Sequence, residues 1–86
     1  MKSVLLYCTR ICPYCTMAKR LLSSKGVKYE EVLVDIDCTR RGEMLQRSGG
    51  RRTVPQIFVG DRHVGGYDDL AALDRAGQLD PLLQDP

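Results

Sequence analysis

Two cysteines three positions apart, Cys12 and Cys15, stand just after a short apolar run and just before an amphipathic one. No other feature constrains the fold as strongly. Val4-Leu5-Leu6-Tyr7, inside the stretch from Lys2 to Tyr7, fits a buried strand. Pro13 follows Cys12, and proline suits the first helical position, where its missing N–H would be unpaired anyway. Met17, Ala18, Leu21 and Leu22 then mark one face of a helix reaching about Ser24, which Gly26 closes. The pair therefore sits where a strand hands over to a helix, both sulfurs one turn apart and within reach of a disulfide. Cys12 takes the N-cap, where free N–H groups and the helix dipole favour an anion, so its thiol is expected to ionise below the free value of ~8.5. Arg10 and Lys19 add positive charge nearby, while Cys15, inside the helix, is expected to keep its proton. Cys12 reads as a nucleophile and Cys15 as its resolving thiol.

The rest of the chain alternates strand and helix. Val27 to Ile36 is rich in branched residues and reads as a second strand. Asp37 can cap a helix from about Thr39 to Arg47, with Met44 and Leu45 facing inward and Ser48-Gly49-Gly50 ending it. Gln56 to Val59 is a third strand after Pro55, Gly60-Asp61 a turn, and Arg62 to Val64 a fourth strand. After Gly65-Gly66, Asp68 and Asp69 open a third helix with Leu70, Ala71, Leu73 and Ala76 as its apolar positions. Gly77 stops it, and a short turn with Leu79, Leu82 and Leu83 follows. The order βαβαββα implies a parallel pair joined through a helix and an antiparallel hairpin, hence a mixed sheet with helices on both faces.

At 86 residues this is expected to be one domain over positions 1–86, burying roughly 60% of its unfolded surface. Thirteen Lys+Arg against eleven Asp+Glu leave +2 at pH 7, too little bias to argue for nucleic acid. The run Val4 to Cys8 is far short of the ~20 residues that span a bilayer, and Met1-Lys2-Ser3 makes no secretory leader. A cytoplasmic setting is the expectation, and there a C-x-x-C is more often redox or metal chemistry than a staple. A zinc site would need two more ligands from Cys8, Cys38 and His63, and no second C-x-x-C or paired histidine supplies them. A structural disulfide is the other alternative.

Three segments carry a resemblance. Tyr7-Cys8-Thr9-Arg10-Ile11-Cys12-Pro13-Tyr14-Cys15, Thr53-Val54-Pro55-Gln56-Ile57-Phe58 and Gly65-Gly66-Tyr67-Asp68-Asp69-Leu70 together resemble a glutaredoxin, most of all the small bacterial dithiol members, from Leu5 to Leu83. The resemblance implies an α/β chain with the thioredoxin-like fold, a four-stranded mixed sheet and three main helices. It implies a glutathione-dependent oxidoreductase that reduces protein disulfides and protein–glutathione mixed disulfides. Cys12 would attack and keep the glutathione, which a second glutathione removes, or Cys15 would close a Cys12–Cys15 disulfide. Glutathione would be the co-substrate, with no tightly bound cofactor and no metal. The partners would be disulfide-bearing or glutathionylated proteins, and the chain a monomer.

The same resemblance assigns the binding residues. Thr53-Val54-Pro55 matches a loop whose proline is cis, and Val54 would offer its N–H and C=O to the cysteine of glutathione, as an added strand would. Gly66, Tyr67, Asp68 and Asp69 would hold the γ-glutamyl end, with N–H groups from Tyr67 and Asp68 and the Asp69 carboxylate on the α-ammonium. Tyr14 would line the groove. Thr9 stands where many relatives have a lysine for the glycyl carboxylate, leaving Arg10, Arg51 and Arg52 as substitutes. Tyr67 replaces a frequent cysteine or serine. Cys8 is expected to be a buried structural thiol, Cys38 a possible glutathione acceptor at a helix start, and His63 an exposed bystander. Two other readings share the fold: a redoxin served by thioredoxin reductase for ribonucleotide reductase, and a carrier of a glutathione-ligated iron–sulfur cluster. The intact loop and the absence of Trp weigh against the first, and Pro13 and Cys15 against the second.

Overall fold

The computed structural model describes residues 2–84; Met1, Asp85 and Pro86 of the expected domain lie outside them. The chain runs β1 (Val4–Cys8), α1 (Pro13–Ser24), β2 (Tyr29–Leu33), α2 (Cys38–Arg47), β3 (Gln56–Val59), β4 (Arg62–Gly65), α3 (Tyr67–Arg75) and a short α4 (Leu79–Leu83). The strands form one sheet in the order β2-β1-β3-β4. β1 pairs parallel with β2 and antiparallel with β3, and β3 pairs antiparallel with β4. This is the mixed sheet of a thioredoxin-like fold.

Strand alternation sorts side chains onto two faces. Val4, Leu6 and Cys8 of β1 and Ile57 and Val59 of β3 join Cys15, Ala18 and Leu22 of α1, Leu70 of α3, and Leu79 and Leu83 of α4 in the larger core. Tyr7 and Phe58, from the same two strands, face the other way and pack with Val32, Val34 and Met44 of α2. Their rings meet edge to face at 5.7 Å, the arrangement aromatic quadrupoles favour. Helices α1 and α3 thus cover one face and α2 the other.

Several element ends depart from the sequence expectation. The second strand stops at Leu33 rather than Ile36, because its partner β1 ends at Cys8 opposite Leu33. One more bond, Val34 N–H to Cys8 O at 2.9 Å, closes the ladder, and the chain then turns, leaving Ile36 60% exposed. Met17 is not on the inner face of α1: it is 41% exposed, and Cys15 takes the buried place with Ala18 and Leu22. The third helix opens at Tyr67 with Gly66 as N-cap, and Ala76 is an exposed C-cap rather than an apolar position. Asp37 caps α2 as expected, accepting from Arg40 N at 3.2 Å. Among the described residues no helix is long and apolar enough to cross a membrane.

Candidate active site

Cys12 occupies the N-cap of α1 in an extended conformation, with Pro13 next in the first turn. Its Sγ accepts the Cys15 N–H at 3.3 Å, the bond an N-cap side chain makes. Across from it the Val54-Pro55 peptide bond is cis, and Cys12 Sγ lies 3.8 Å from Val54 O, to which its S–H donates. Cys12 is half-buried, whereas Cys15 and Cys8 are fully buried; all three are free thiols.

The three sulfurs form a chain from strand to helix cap. Cys8 ends β1 on the same face as Leu6, which points its sulfur at Cys15 in α1. Hydrogen bonding from Cys8, opposed by burial and helped by Cys12 and a backbone contact with Thr9, lowers Cys15 to about 6. Cys8 is raised, first by its bond to Cys15 and then by burial. Burial also raises Cys12, and its bond to Cys15 adds to that, against backbone N–H donation from Cys15 and Tyr14. Geometry favours the charge of this coupled pair on Cys12, whose sulfur accepts the Cys15 N–H at the helix cap. Because Cys12 and Cys15 share a hydrogen bond they titrate as a unit, and moving one proton inward along that bond leaves the thiolate on Cys12.

The expected positive charges are mostly engaged elsewhere. Arg10 Nε pairs with Asp35 at 2.9 Å, and its backbone N–H reaches the same carboxylate at 3.3 Å. Lys19 pairs with Glu31 at 2.8 Å and is the smallest named influence lowering Cys15.

Beside Cys12 lies a groove of about 300 Å³ lined by Tyr14, Thr53, Val54, Pro55, Tyr67 and Asp68. The Tyr14 and Tyr67 rings lean together across it at 6.4 Å. Gly66 adjoins the groove: a Cβ built there would sit 3.6 Å from Pro55 O. Asp69 stands behind it. Its Oδ2 accepts the Gly66 N–H at 2.9 Å and lies 3.6 Å from Arg51 Nη1. A larger cavity of about 700 Å³, lined by Lys2, Val4, Tyr29 and Gly60 among others, opens at the amino end of β1 and holds no thiol.

Of the residues read from sequence as a site, six line one groove and Cys12 and Gly66 border it, while Cys15 is buried in the core and Asp69 is drawn back to Arg51. Cys38 is exposed at the start of α2. His63 is not an exposed bystander: it is half-buried, stacks on Phe58 at 4.8 Å, and its Nε2 lies 2.7 Å from Gln56 Oε1. Burial accordingly lowers its pKa, with Arg51 adding to the effect. The role of Cys8 beside Cys15 was also missed. Its signal was the strand alternation that puts Cys8 on the face of Val4 and Leu6, under α1.

Residues 4–64 match the glutaredoxin family profile. The chain is 55% identical over 84 residues to "Glutaredoxin 3" of Escherichia coli, covering 98% of this chain and all of that one. It is 53% identical over 83 residues to "Glutaredoxin" of Pseudomonas aeruginosa, covering 96% of this chain and 98% of that one. Among solved structures, a buckwheat glutaredoxin–glutathione complex superposes with a TM-score of 0.84 at 31% identity, covering 93% of this chain and 74% of that one. A glutaredoxin from Brucella melitensis superposes with a TM-score of 0.83 at 49% identity, covering 96% of this chain and 89% of that one. With the dithiol at the helix cap and the loop facing it, these likenesses show that the chain belongs to the glutaredoxin family of thiol-disulfide oxidoreductases.

Proposed function

We propose that the chain reduces protein–glutathione mixed disulfides and protein disulfides, with Cys12 as nucleophile and Cys15 as resolving thiol. The observation that carries this reading is the groove of about 300 Å³ that runs from Tyr14 past the Thr53-Val54-Pro55 loop to Asp68, with the half-buried Cys12 at its edge. Glutathione lies along it. Val54 presents N–H and C=O to its cysteinyl unit, the Tyr67 and Asp68 N–H groups at the start of α3 take the γ-glutamyl carboxylate, and Asp69 takes the α-ammonium in place of Arg51.

The reaction begins when the Cys12 thiolate attacks the glutathione sulfur of the mixed disulfide. The Cys12–S–S–glutathione bond forms, the old S–S bond breaks, and the substrate protein leaves as a thiolate that takes a proton from water. A second glutathione thiolate then attacks the glutathione sulfur on Cys12, releasing oxidised glutathione and the Cys12 thiolate. For a protein disulfide, the Cys12 thiolate first attacks one sulfur and expels the other as a thiolate; Cys15 then gives its proton to water, attacks Cys12, closes the Cys12–Cys15 disulfide and expels the second substrate thiolate. The low pKa of Cys15 lets it act at neutral pH. We place this chemistry in the cytoplasm and on a monomer.

The test is turnover of a glutathionylated peptide with glutathione as sole reductant, recycled by glutathione reductase and NADPH. The reading predicts turnover that Cys12→Ser abolishes. Turnover only when thioredoxin reductase replaces the glutathione system would contradict it.

A further inference from the structure

The loop that faces Cys12 is held from behind by a buried side chain. Gln56, the first residue of β3, is fully buried and follows Pro55 directly. Burying an amide is costly unless its hydrogen bonds are made, and here they run to Thr53 and His63. Gln56 Nε2 donates to Thr53 O at 2.8 Å and to Thr53 Oγ1 at 3.2 Å. A carbonyl only accepts, so the nitrogen must face Thr53 and Oε1 must face His63 Nε2, 2.7 Å away. Oε1 in turn only accepts, so His63 carries its hydrogen on Nε2. The network fixes both the amide orientation and the tautomer.

His63 is itself held in place. It is the β4 register partner of Phe58 and stacks on that ring, whose π-system lies 4.2 Å from the Arg47 guanidinium. Gln56 is anchored to the sheet opposite Tyr7 of β1. Thr53 is exposed, and both its carbonyl and its hydroxyl are held by Gln56.

We propose that Gln56, oriented by His63, is a positioning residue for the groove: by fixing the Thr53 backbone it sets where Val54 presents its N–H and C=O opposite Cys12. Neither side chain touches the reacting sulfurs. The inference rests on the glutathione reading above, and recognition through main-chain groups gives it force, because such a site works only when the loop is held in register.

The experiment measures kcat and KM for a glutathionylated peptide, together with the rate of Cys12 alkylation by iodoacetamide, in the full chain. Gln56→Leu is expected to raise KM roughly tenfold, the loss of about one well-made hydrogen bond, with kcat within about twofold. Alkylation should change far less than KM, because the one contact at the thiols that the loop supplies is the 3.8 Å approach of Cys12 Sγ to Val54 O. His63→Phe is expected to raise KM about threefold, and His63→Gln, which restores a donor, to bring it back. A folded Gln56→Leu with unchanged KM overturns the proposal, as does a variant whose alkylation rate falls in step with its turnover. If Gln56→Leu does not fold by near-ultraviolet circular dichroism, His63→Phe decides, and an unchanged KM there overturns it. A wild-type protein that does not turn over the glutathionylated peptide defeats the groove assignment itself, whereas unaltered KM values in variants of an active enzyme defeat only the positioning role.

Discussion

At the residue scale, the chemistry depends on how three thiols divide one negative charge. Cys15 is lowered to about 6, with the Cys8 hydrogen bond as the leading cause. Cys8 is fully buried, so it donates from a fixed place and water does not compete for the contact. With Cys15 lowered to about 6, the pair is expected to be neutral and slow to react below that pH and to share one thiolate above it. Thiolate absorbance and iodoacetamide alkylation of the reduced protein should therefore rise through a midpoint near 6 and then level off. Replacing Cys8→Val removes the leading donor, and the midpoint should move up toward the free-thiol value of ~8.5. A midpoint unchanged by Cys8→Val would show that Cys8 does not set it. Sequence reading found Cys12, Cys15 and the N-cap, because spacing and Pro13 encode them locally. It did not foresee Cys8 beside Cys15, because that thiol arrives from a strand that only tertiary packing brings under α1.

At the element scale, the start of α3 shows how one small residue serves both fold and site. Gly65 ends β4 with φ +117°, a conformation side chains rarely adopt. A Cβ there would collide with Asp69 Oδ2 and lie 2.8 Å from Asp69 Cγ and 3.0 Å from Arg51 Nη1. Asp69 could yield only by giving up the Gly66 N–H it holds at 2.9 Å. Gly65→Ala should then lose roughly 2–4 kcal/mol, combining backbone strain with a lost cap. Urea titration measures it, and a loss under about 0.5 kcal/mol, within the range of an ordinary surface change, would contradict the close packing described. The two glycines were visible in the sequence as a break before a helix. The helix start one residue earlier, at Tyr67, and the ion pair of Asp69 with Arg51 were not, since Arg51 lies on a distant loop with no periodicity to mark it. The same limit explains Ile36: its strand-like neighbours suggested pairing, but β1 had already run out.

At the scale of the whole molecule, stability rests on two cores divided by four short strands. A chain of 86 residues carries little reserve, and single domains are typically stable by only ~5–15 kcal/mol. Leu22 is fully buried in the larger core, with Cys15 and Ala18 on the same face of α1. Leu22→Ala should cost about 2–5 kcal/mol, a large part of that reserve, and lower the urea midpoint without changing the pKa of the thiols. A loss below about 1 kcal/mol would mean the core refills the space. The mixed sheet and both helical layers were legible from element order alone, because parallel pairing through a helix and a two-residue hairpin leave few arrangements. The Gln56–His63 contact was not legible, because a glutamine after a proline and a histidine beside a turn look like surface residues until the hairpin folds them together.

On the proposed reading Cys12, not another of the four cysteines, carries glutathione in the groove. The most direct measurement is intact mass and peptide mapping of Cys15→Ser after exposure to oxidised glutathione. A single glutathione adduct, located on Cys12 and removed by fresh glutathione, is the predicted result. An adduct located on Cys38 instead, or none at all, would contradict the account.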